Sequence, residues 1–208
     1  MPTLMVIASG NAHKASEIQT LLGAAFECRM LKDYPDAPEV EEDAATFAGN
    51  AVKKALSLVD WLKHHEDFAE GWVLADDSGL EVDALDGAPG VRSARYASGT
   101  TEGNSPDEAN NAKLLAELNG KPSHQRTARF RCVLALARAG AYRQPELFEG
   151  ACEGYIAEAP AGGEGFGYDP LFVPENFVDT FGTLGAEIKG MLSHRAAALR
   201  KMKAWLER

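Results

Sequence analysis

Two adjacent carboxylates, Asp76 and Asp77, stand at the end of the apolar run Trp72-Val73-Leu74-Ala75 and just before Ser78-Gly79. Neighbouring side chains of a strand point to opposite faces, so the two carboxylates should do different jobs. A carboxylate at a strand end beside a glycine turn can hold a metal ion or a catalytic water. The same Asp-Asp-Ser-Gly also reads as a plain hairpin turn between two strand-like runs, because each of its residues favours turns. A second cluster is Ser9-Gly10-Asn11-Ala12-His13-Lys14. A small-residue turn that opens a helix presents unpaired N–H groups and a positive dipole end, and Lys14 adds a point charge, so the segment suits a phosphate. It lacks GxxxxGK[ST] and is not a Walker A loop, and its local residues are equally those of an ordinary capped helix start.

Three further groups could carry chemistry. Glu41-Glu42-Asp43 precedes a helix and could supply an oxygen ligand that joins Asp77 on Mg²⁺; it also fits a solvated acidic loop near a helix N-terminus. Gly165-Phe166-Gly167-Tyr168-Asp169-Pro170 could stack a base and offer backbone groups to its edge, or could be a tight connection with one aromatic in the core. Lys189 and Ser193-His194-Arg195 place cationic groups around a helix N-terminus, an end that cations avoid unless an anion sits there. Ser193 can cap that helix at the same time.

The elements that must position these groups alternate. Residues 4–8 read as a buried strand, 9–11 as a turn and 14–22 as a helix with Ile18, Leu21 and Leu22 on one face. Residues 26–31 form a second strand and 33–43 an acidic, proline-bearing loop. Residues 46–64 are helical, with Phe47, Ala51, Leu58 and Leu62 on a stripe and Asn50 and Lys54 one turn apart. Strands are expected at 73–75 and 80–85, and a helix at 105–118 with Ser105 as cap, Pro106 in its first position and Asn119-Gly120 ending it. Residues 127–138 and 147–157 pair as a hairpin through a turn at 140–145, with Ala128, Phe130, Cys132, Leu134 and Leu136 on one face. The Gly-rich loop leads to a short strand at 171–173, and the last helix covers 194–206. Strand-helix alternation with a long hairpin points to a mixed sheet.

Bulk properties narrow the function. The 208 residues, 45% hydrophobic and 25% charged, are enough for one core and one domain. No apolar run is long enough to cross a bilayer, and the start Met1-Pro2-Thr3-Leu4 lacks a basic leader, so a cytoplasmic protein without a membrane partner is expected. The three cysteines have no CxxC spacing and the five histidines form no HExxH, which points to reduced thiols and away from structural zinc. A formal net charge of −10 opposes a nucleic-acid footprint but not a small phosphorylated ligand.

Taken in order, the segments 9–14, Thr46-Phe47-Ala48-Gly49-Asn50-Ala51, 75–80, Gly87-Ala88-Pro89-Gly90, Ser93-Ala94-Arg95-Tyr96, 165–170 and Ser193-His194-Arg195 resemble the inosine/xanthosine triphosphate pyrophosphatase family across nearly the whole chain. Ser9 stands where that family usually has Thr, His13 where it often has Gly and Gly49 where it often has an acid; Arg92 also departs from its pattern. The resemblance implies a mixed α/β fold in a single domain over residues 1–208, with an elongated twisted sheet, flanking helices and two lobes around a central active-site cleft. It implies Mg²⁺-dependent hydrolysis of inosine, deoxyinosine and xanthosine triphosphates to monophosphate and pyrophosphate, by a homodimer that cleanses the nucleotide pool.

Roles follow from the same resemblance. Ser9, Gly10, Asn11, Ala12, His13 and Lys14 should hold the triphosphate, and Lys54 and Lys189 should face phosphates. Glu41 and Asp77 should ligate Mg²⁺, although a one-residue shift exchanges Glu41 for Glu42. Asp77 should also act as general base, with Asp76 and Ser78 supporting it. Phe166, Gly167, Tyr168 and Asp169 should line the base pocket, and His194 and Arg195 should read the purine edge. Two other readings are a pyrophosphatase for other modified nucleotides, pyrimidines included, and a nucleotide-binding regulator without catalysis.

Overall fold

The computed structural model describes residues 3–65, 68, 71–98, 103–138, 140 and 144–208. Six strands form one mixed sheet in the order β2-β1-β3-β4-β5-β6. They are β1 (Thr3–Ala8), β2 (Phe26–Met30), β3 (Trp72–Val82), β4 (Thr127–Arg138), β5 (Glu146–Ile156) and β6 (Phe172–Pro174). Strand β1 runs parallel to both β2 and β3, whereas β5 and β6 are antiparallel. The helices are α1 (Ala12–Leu22), α2 (Phe47–Leu62), α3 (Asp107–Glu117), α4 (Phe181–Leu192) and α5 (His194–Leu206).

The chain divides into two compact units. The first comprises Met1–Asp77, Cys132–Glu149 and Ala198–Arg208; the second comprises Ser78–Arg131 and Gly150–Ala197. In the first unit Met5, Ile7 and Leu74 of the sheet pack with Ile18 and Leu22 of α1 and Leu199 and Met202 of α5. The periodicity of α1 causes this: Ala15, Ile18 and Leu22 recur at three- and four-residue spacing and all three are buried. Helix α2 buries Phe47, Ala51, Leu58 and Leu62, the stripe its sequence foretold, together with Ala55, and Thr46 Oγ1 caps it by accepting from Gly49 N at 3.1 Å. In the second unit Leu80 and Val82 join Leu114 and Leu118, Phe130, Phe172 and Phe181 in a separate core.

Several expectations need correction. Asp76-Asp77-Ser78-Gly79 is not a hairpin turn: β3 continues through it to Val82, and residues 83–85 form a single 3-10 turn. Burial overrides turn propensity there, since Ala75, Asp76 and Asp77 are all enclosed. Helix α3 begins at Asp107, with Pro106 in the cap position and no side-chain cap from Ser105. Helix α4 was not expected at all. Gly182, Gly185 and Gly190 weaken its helical signal, and Gly185 (φ 79°) breaks it into two pieces. Residues 141–143 of the turn expected at 140–145 lie outside the described residues.

Candidate active site

In the first unit the parallel register sets Ile7 beside Leu74 and Ala8 beside Ala75. The carboxyl end of β1, the kind of strand end where α/β sheets bind ligands, therefore delivers residues 9–14 beside Asp76 and Asp77, the residues of β3 that follow the paired stretch. Asn11 caps α1, its Oδ1 accepting from Lys14 N at 3.1 Å, and Asn11 N donates to Ser9 Oγ at 3.2 Å. Gly10, Ala12 and His13 are exposed, and a side chain at Gly10 would meet nothing within 4 Å. The loop is thus an ordered helix start whose Asn11 and Lys14 N–H groups are held by side chains, with Gly10, Ala12 and His13 open to solvent.

The two carboxylates do separate jobs, as strand alternation requires. Asp76 is buried, lies 3.2 Å from Lys14 Nζ through Oδ1 and accepts from Cys132 Sγ at 3.1 Å through Oδ2. Asp77 accepts from Asn50 Nδ2 at 3.1 Å and from Lys54 Nζ at 3.2 Å. Lys54 Nζ also donates to Asp76 O at 2.6 Å and to Glu42 Oε1 at 2.8 Å. Asn50 and Lys54 sit one turn apart on α2, which is why both reach Asp77. Burial raises the Asp77 carboxyl above its ordinary range, against the pull of Lys54 and Lys14 toward the carboxylate. Burial also opposes the Lys54 ammonium, but Asp77 and Glu42 outweigh it and hold the group above its usual value.

Lys54 shows what this cluster can hold. Its ammonium is shared by the hard oxygens of Glu42 and Asp77, a donor set that fits Mg²⁺, which takes one or two carboxylates and completes its shell with water and phosphate. Of the two glutamates the sequence left open, Glu42 converges on Asp77 through this lysine, whereas Glu41 is exposed. Among the described residues no three His, Cys, Asp or Glu side chains gather into a metal-binding group.

The second unit assembles the remaining residues. Asp169 Oδ2 accepts from Phe166 N at 2.8 Å and from Lys189 Nζ at 2.6 Å, and Lys189 Nζ lies 4.3 Å from the Phe166 ring centre. Lys189 therefore belongs to the aromatic loop, with Asp169 and Phe166. Tyr168 is buried and its hydroxyl donates to Ser93 O at 2.9 Å. Arg195, wholly buried, donates through Nη2 to Ser78 Oγ at 2.9 Å. His194 stacks on Phe130 with ring centres 4.8 Å apart. Ser193 caps α5 by accepting from Ala196 N at 3.2 Å. Gly167 is gripped by α3: its N donates to Asp107 Oδ2 at 2.6 Å and its O accepts from Asn111 Nδ2 at 3.0 Å.

Sequence reasoning missed Cys132, Asp107 and Asn111. Cys132 was visible only as one of a row of alternating core positions in β4. The signal for Asp107 and Asn111 was their i, i+4 spacing on a helix, which says that they share a face but not what that face meets.

Comparison with known proteins identifies the lineage. Residues 5–205 match the Ham1 family. The chain is 48% identical over 206 residues to the dITP/XTP pyrophosphatase of Geobacillus kaustophilus (strain HTA426), covering 98% of this chain and 94% of the relative. It is 46% identical over 203 residues to the dITP/XTP pyrophosphatase of Shouchella clausii (strain KSM-K16), covering 98% and 96%. The structure of the Staphylococcus aureus Ham1 protein matches with a TM-score of 0.81 at 37% identity, over 99% of this chain and 98% of that one. A HAM1 protein from Coxiella burnetii gives 0.82 at 34% identity, again over 99% and 98%. With a family match over nearly its whole length and relatives this similar in both sequence and fold, the chain belongs to the Ham1 family.

Proposed function

We propose that this chain hydrolyses the non-standard purine nucleoside triphosphates dITP, ITP and XTP to the nucleoside monophosphate and pyrophosphate, and so keeps them out of DNA and RNA. The observation that carries this reading is the Lys14–Asp76 and Lys54–Asp77 pairing where β3 runs past the carboxyl end of β1, beside an exposed helix N-terminus. It is supported by near-full-length similarity to dITP/XTP pyrophosphatases. A cytoplasmic homodimer is the form in which we expect the enzyme to work.

The first cluster takes the triphosphate. Backbone N–H groups at the start of α1 and the Lys14 ammonium bind phosphate oxygens. Glu42 or Glu41 with Asp77 would hold Mg²⁺, which neutralises phosphate charge and lowers the pKa of bound water. Asp77 is the general base: it accepts a proton from the attacking water. The water oxygen bonds to the α-phosphorus, the bond from that phosphorus to the bridging oxygen breaks, and pyrophosphate departs with the electron pair. Asn50 and Lys54 fix the Asp77 carboxylate so that it meets the water in one orientation.

The second cluster takes the base. Phe166 offers an aromatic face, and Arg195 or a backbone N–H offers a donor to the 6-oxo group of hypoxanthine or xanthine. Adenine presents an amine there and would leave that donor badly paired, a mismatch that can be worth several orders of magnitude.

Product analysis tests the reading. The purified protein is incubated with Mg²⁺ and, separately, ITP, XTP, dITP, ATP, GTP and dTTP, and phosphate is resolved from pyrophosphate. Pyrophosphate from ITP and XTP with little from ATP is expected. Orthophosphate as the product would refute attack at the α-phosphorus. Turnover of dTTP in preference to ITP would refute 6-oxopurine selectivity, and nucleotide binding without turnover would identify a regulator instead.

A further inference from the structure

We infer that Asp107 and Asn111 of α3 are positioning residues for base recognition, acting through the main chain of Gly167. This role rests on the proposed function, in which residues 166–169 line the base pocket. Asp107 and Asn111 are four residues apart on one helix, so they share a face. Both grip a single residue of the aromatic loop. Gly167 N donates to the Asp107 carboxylate at 2.6 Å, a short, charge-assisted bond, and Asn111 Nδ2 donates to Gly167 O at 3.0 Å.

The orientation of Asn111 is set by that contact. Its Oδ1 is buried with no hydrogen-bond partner among the described residues, so the amide leaves one atom unsatisfied in order to offer its nitrogen to Gly167 O. Turning the amide over would set oxygen against oxygen. A buried acceptor left unpaired opposes stability, so its retention beside a functional loop points to a role beyond simple packing.

The rest of the loop is fixed by other means. Asp169 and Lys189 hold Phe166 N and its ring, and Tyr168 is tied to Ser93 O. Gly167 lies between Phe166 and Tyr168 with φ at 62°, in the left-handed region, so its peptide groups depend on outside partners to stay in place. Helix α3 has its own anchors: Asn110 Oδ1 accepts from Ala97 N at 2.8 Å and Leu114 is buried in the core. Removing the grip on Gly167 therefore loosens the loop while leaving the helix docked. Selectivity built on hydrogen bonds to a base edge tolerates little misplacement, and the grip keeps the loop in register with that edge.

The test combines two measurements on the full chain. Hydrogen exchange of the Gly167 amide, read by NMR on protein labelled with ¹⁵N-glycine, reports the grip. The ratio of kcat/KM for ITP to that for ATP reports its use. In the unaltered protein the amide should be protected. Asp107→Ala should speed its exchange and Asn111→Leu should loosen the same loop, each lowering the ITP-to-ATP ratio about tenfold, the factor carried by one hydrogen bond. The loss should appear mainly as a raised KM for ITP. Asp107→Asn keeps an acceptor and should retain most of the selectivity. A freely exchanging Gly167 amide in the unaltered protein overturns the grip. Faster exchange in Asp107→Ala with an unchanged ratio overturns the positioning role. Absence of pyrophosphate from ITP with the unaltered protein overturns the proposed function and the selectivity role with it, while the exchange measurement still judges the grip by itself.

Discussion

Gly165 should be among the least replaceable residues of the aromatic loop. Its φ is +81°, and a Cβ there would lie 2.1 Å from Asp169 Oδ2, 2.9 Å from Cγ and 3.1 Å from Cβ. The obstacle cannot swing away cheaply. Oδ2 accepts from Phe166 N at 2.8 Å and from the buried Lys189 Nζ at 2.6 Å, and the pair is almost entirely enclosed. Gly165→Ala therefore carries two costs. An L-residue in the left-handed region costs about 1–2 kcal/mol. Displacing the carboxylate weakens charge-assisted bonds worth about 1.5–3 kcal/mol. Together these give about 2.5–5 kcal/mol, a large share of the ~5–15 kcal/mol by which domains are stable. At a urea slope of about 2–3 kcal/mol/M the unfolding midpoint should fall by about 1–2.5 M. Gly163→Ala is the internal control: nothing lies within 4 Å of its Cβ and its φ is not left-handed, so it should be close to neutral. If Gly165→Ala proves as stable as Gly163→Ala in urea, the carboxylate is not pinned as described and the reasoning fails.

Three other predictions follow from the same geometry. Lys189→Met leaves Asp169 buried without its ammonium and should cost about 3–5 kcal/mol in urea unfolding, whereas Lys189→Met combined with Asp169→Asn should recover more than half of that loss. Cys132→Val strips a donor from buried Asp76 and should cost about 1–3 kcal/mol and raise the KM for ITP through Lys14; Cys132→Ser, which keeps a donor, should retain the wild-type KM. Asp77→Asn should abolish turnover while keeping nucleotide binding by calorimetry, and should also stabilise the metal-free protein at neutral pH. The sign comes from burial, which raises the folded carboxyl above its ordinary value of 3.8: the folded chain binds that proton more tightly, so the group's contribution is full below 3.8 and is lost as pH rises through the folded value. Thermal melts of both proteins between pH 3 and pH 8 should therefore converge at the acid end; a variant less stable at neutral pH would contradict this.

What was legible in the sequence was whatever local periodicity or order encodes. The α1 and α2 stripes were readable because Ile18, Leu22, Phe47, Ala51, Leu58 and Leu62 recur at helical spacing, and each is buried. The separation of Asp76 from Asp77 was readable because strand geometry turns neighbouring side chains to opposite faces: Asp76 pairs with Lys14, and Asp77 with Lys54, which Glu42 shares. The continuity of β3 was not readable. Its Asp-Asp-Ser-Gly segment has the composition of a turn, and only the enclosure of these residues within a six-stranded sheet keeps them extended. Helix α4 was hidden for the opposite reason, since three glycines dilute its signal and tertiary packing of Phe181 and Lys189 sustains it.

The site residues divide along the same line. Ser9, Asn11, Lys14, Asp77 and the 165–170 loop stand in short segments whose composition is unusual enough to be noticed. Several of their partners are ordinary residues on ordinary elements, Cys132 in a strand and Asp107 and Asn111 on a helix, and Asn50, although inside the 46–51 segment, gives no sign there that it reaches Asp77. Each partner lies far along the chain from the group it serves, 56 residues in the case of Cys132 and Asp76 and 27 in that of Asn50 and Asp77. A short motif records which groups meet the substrate. The residues that hold those groups are specified only once the strands are paired and the helices docked. Buried polar groups must find partners, so the place to look for them is the set of enclosed Asn, Asp and Cys side chains that packing alone does not require. On the proposed function, Asn50, Asn111 and Cys132 then belong with the groups that they hold, Asp77, Gly167 and Asp76. Substitutions at these three positions should then change substrate constants, not only stability.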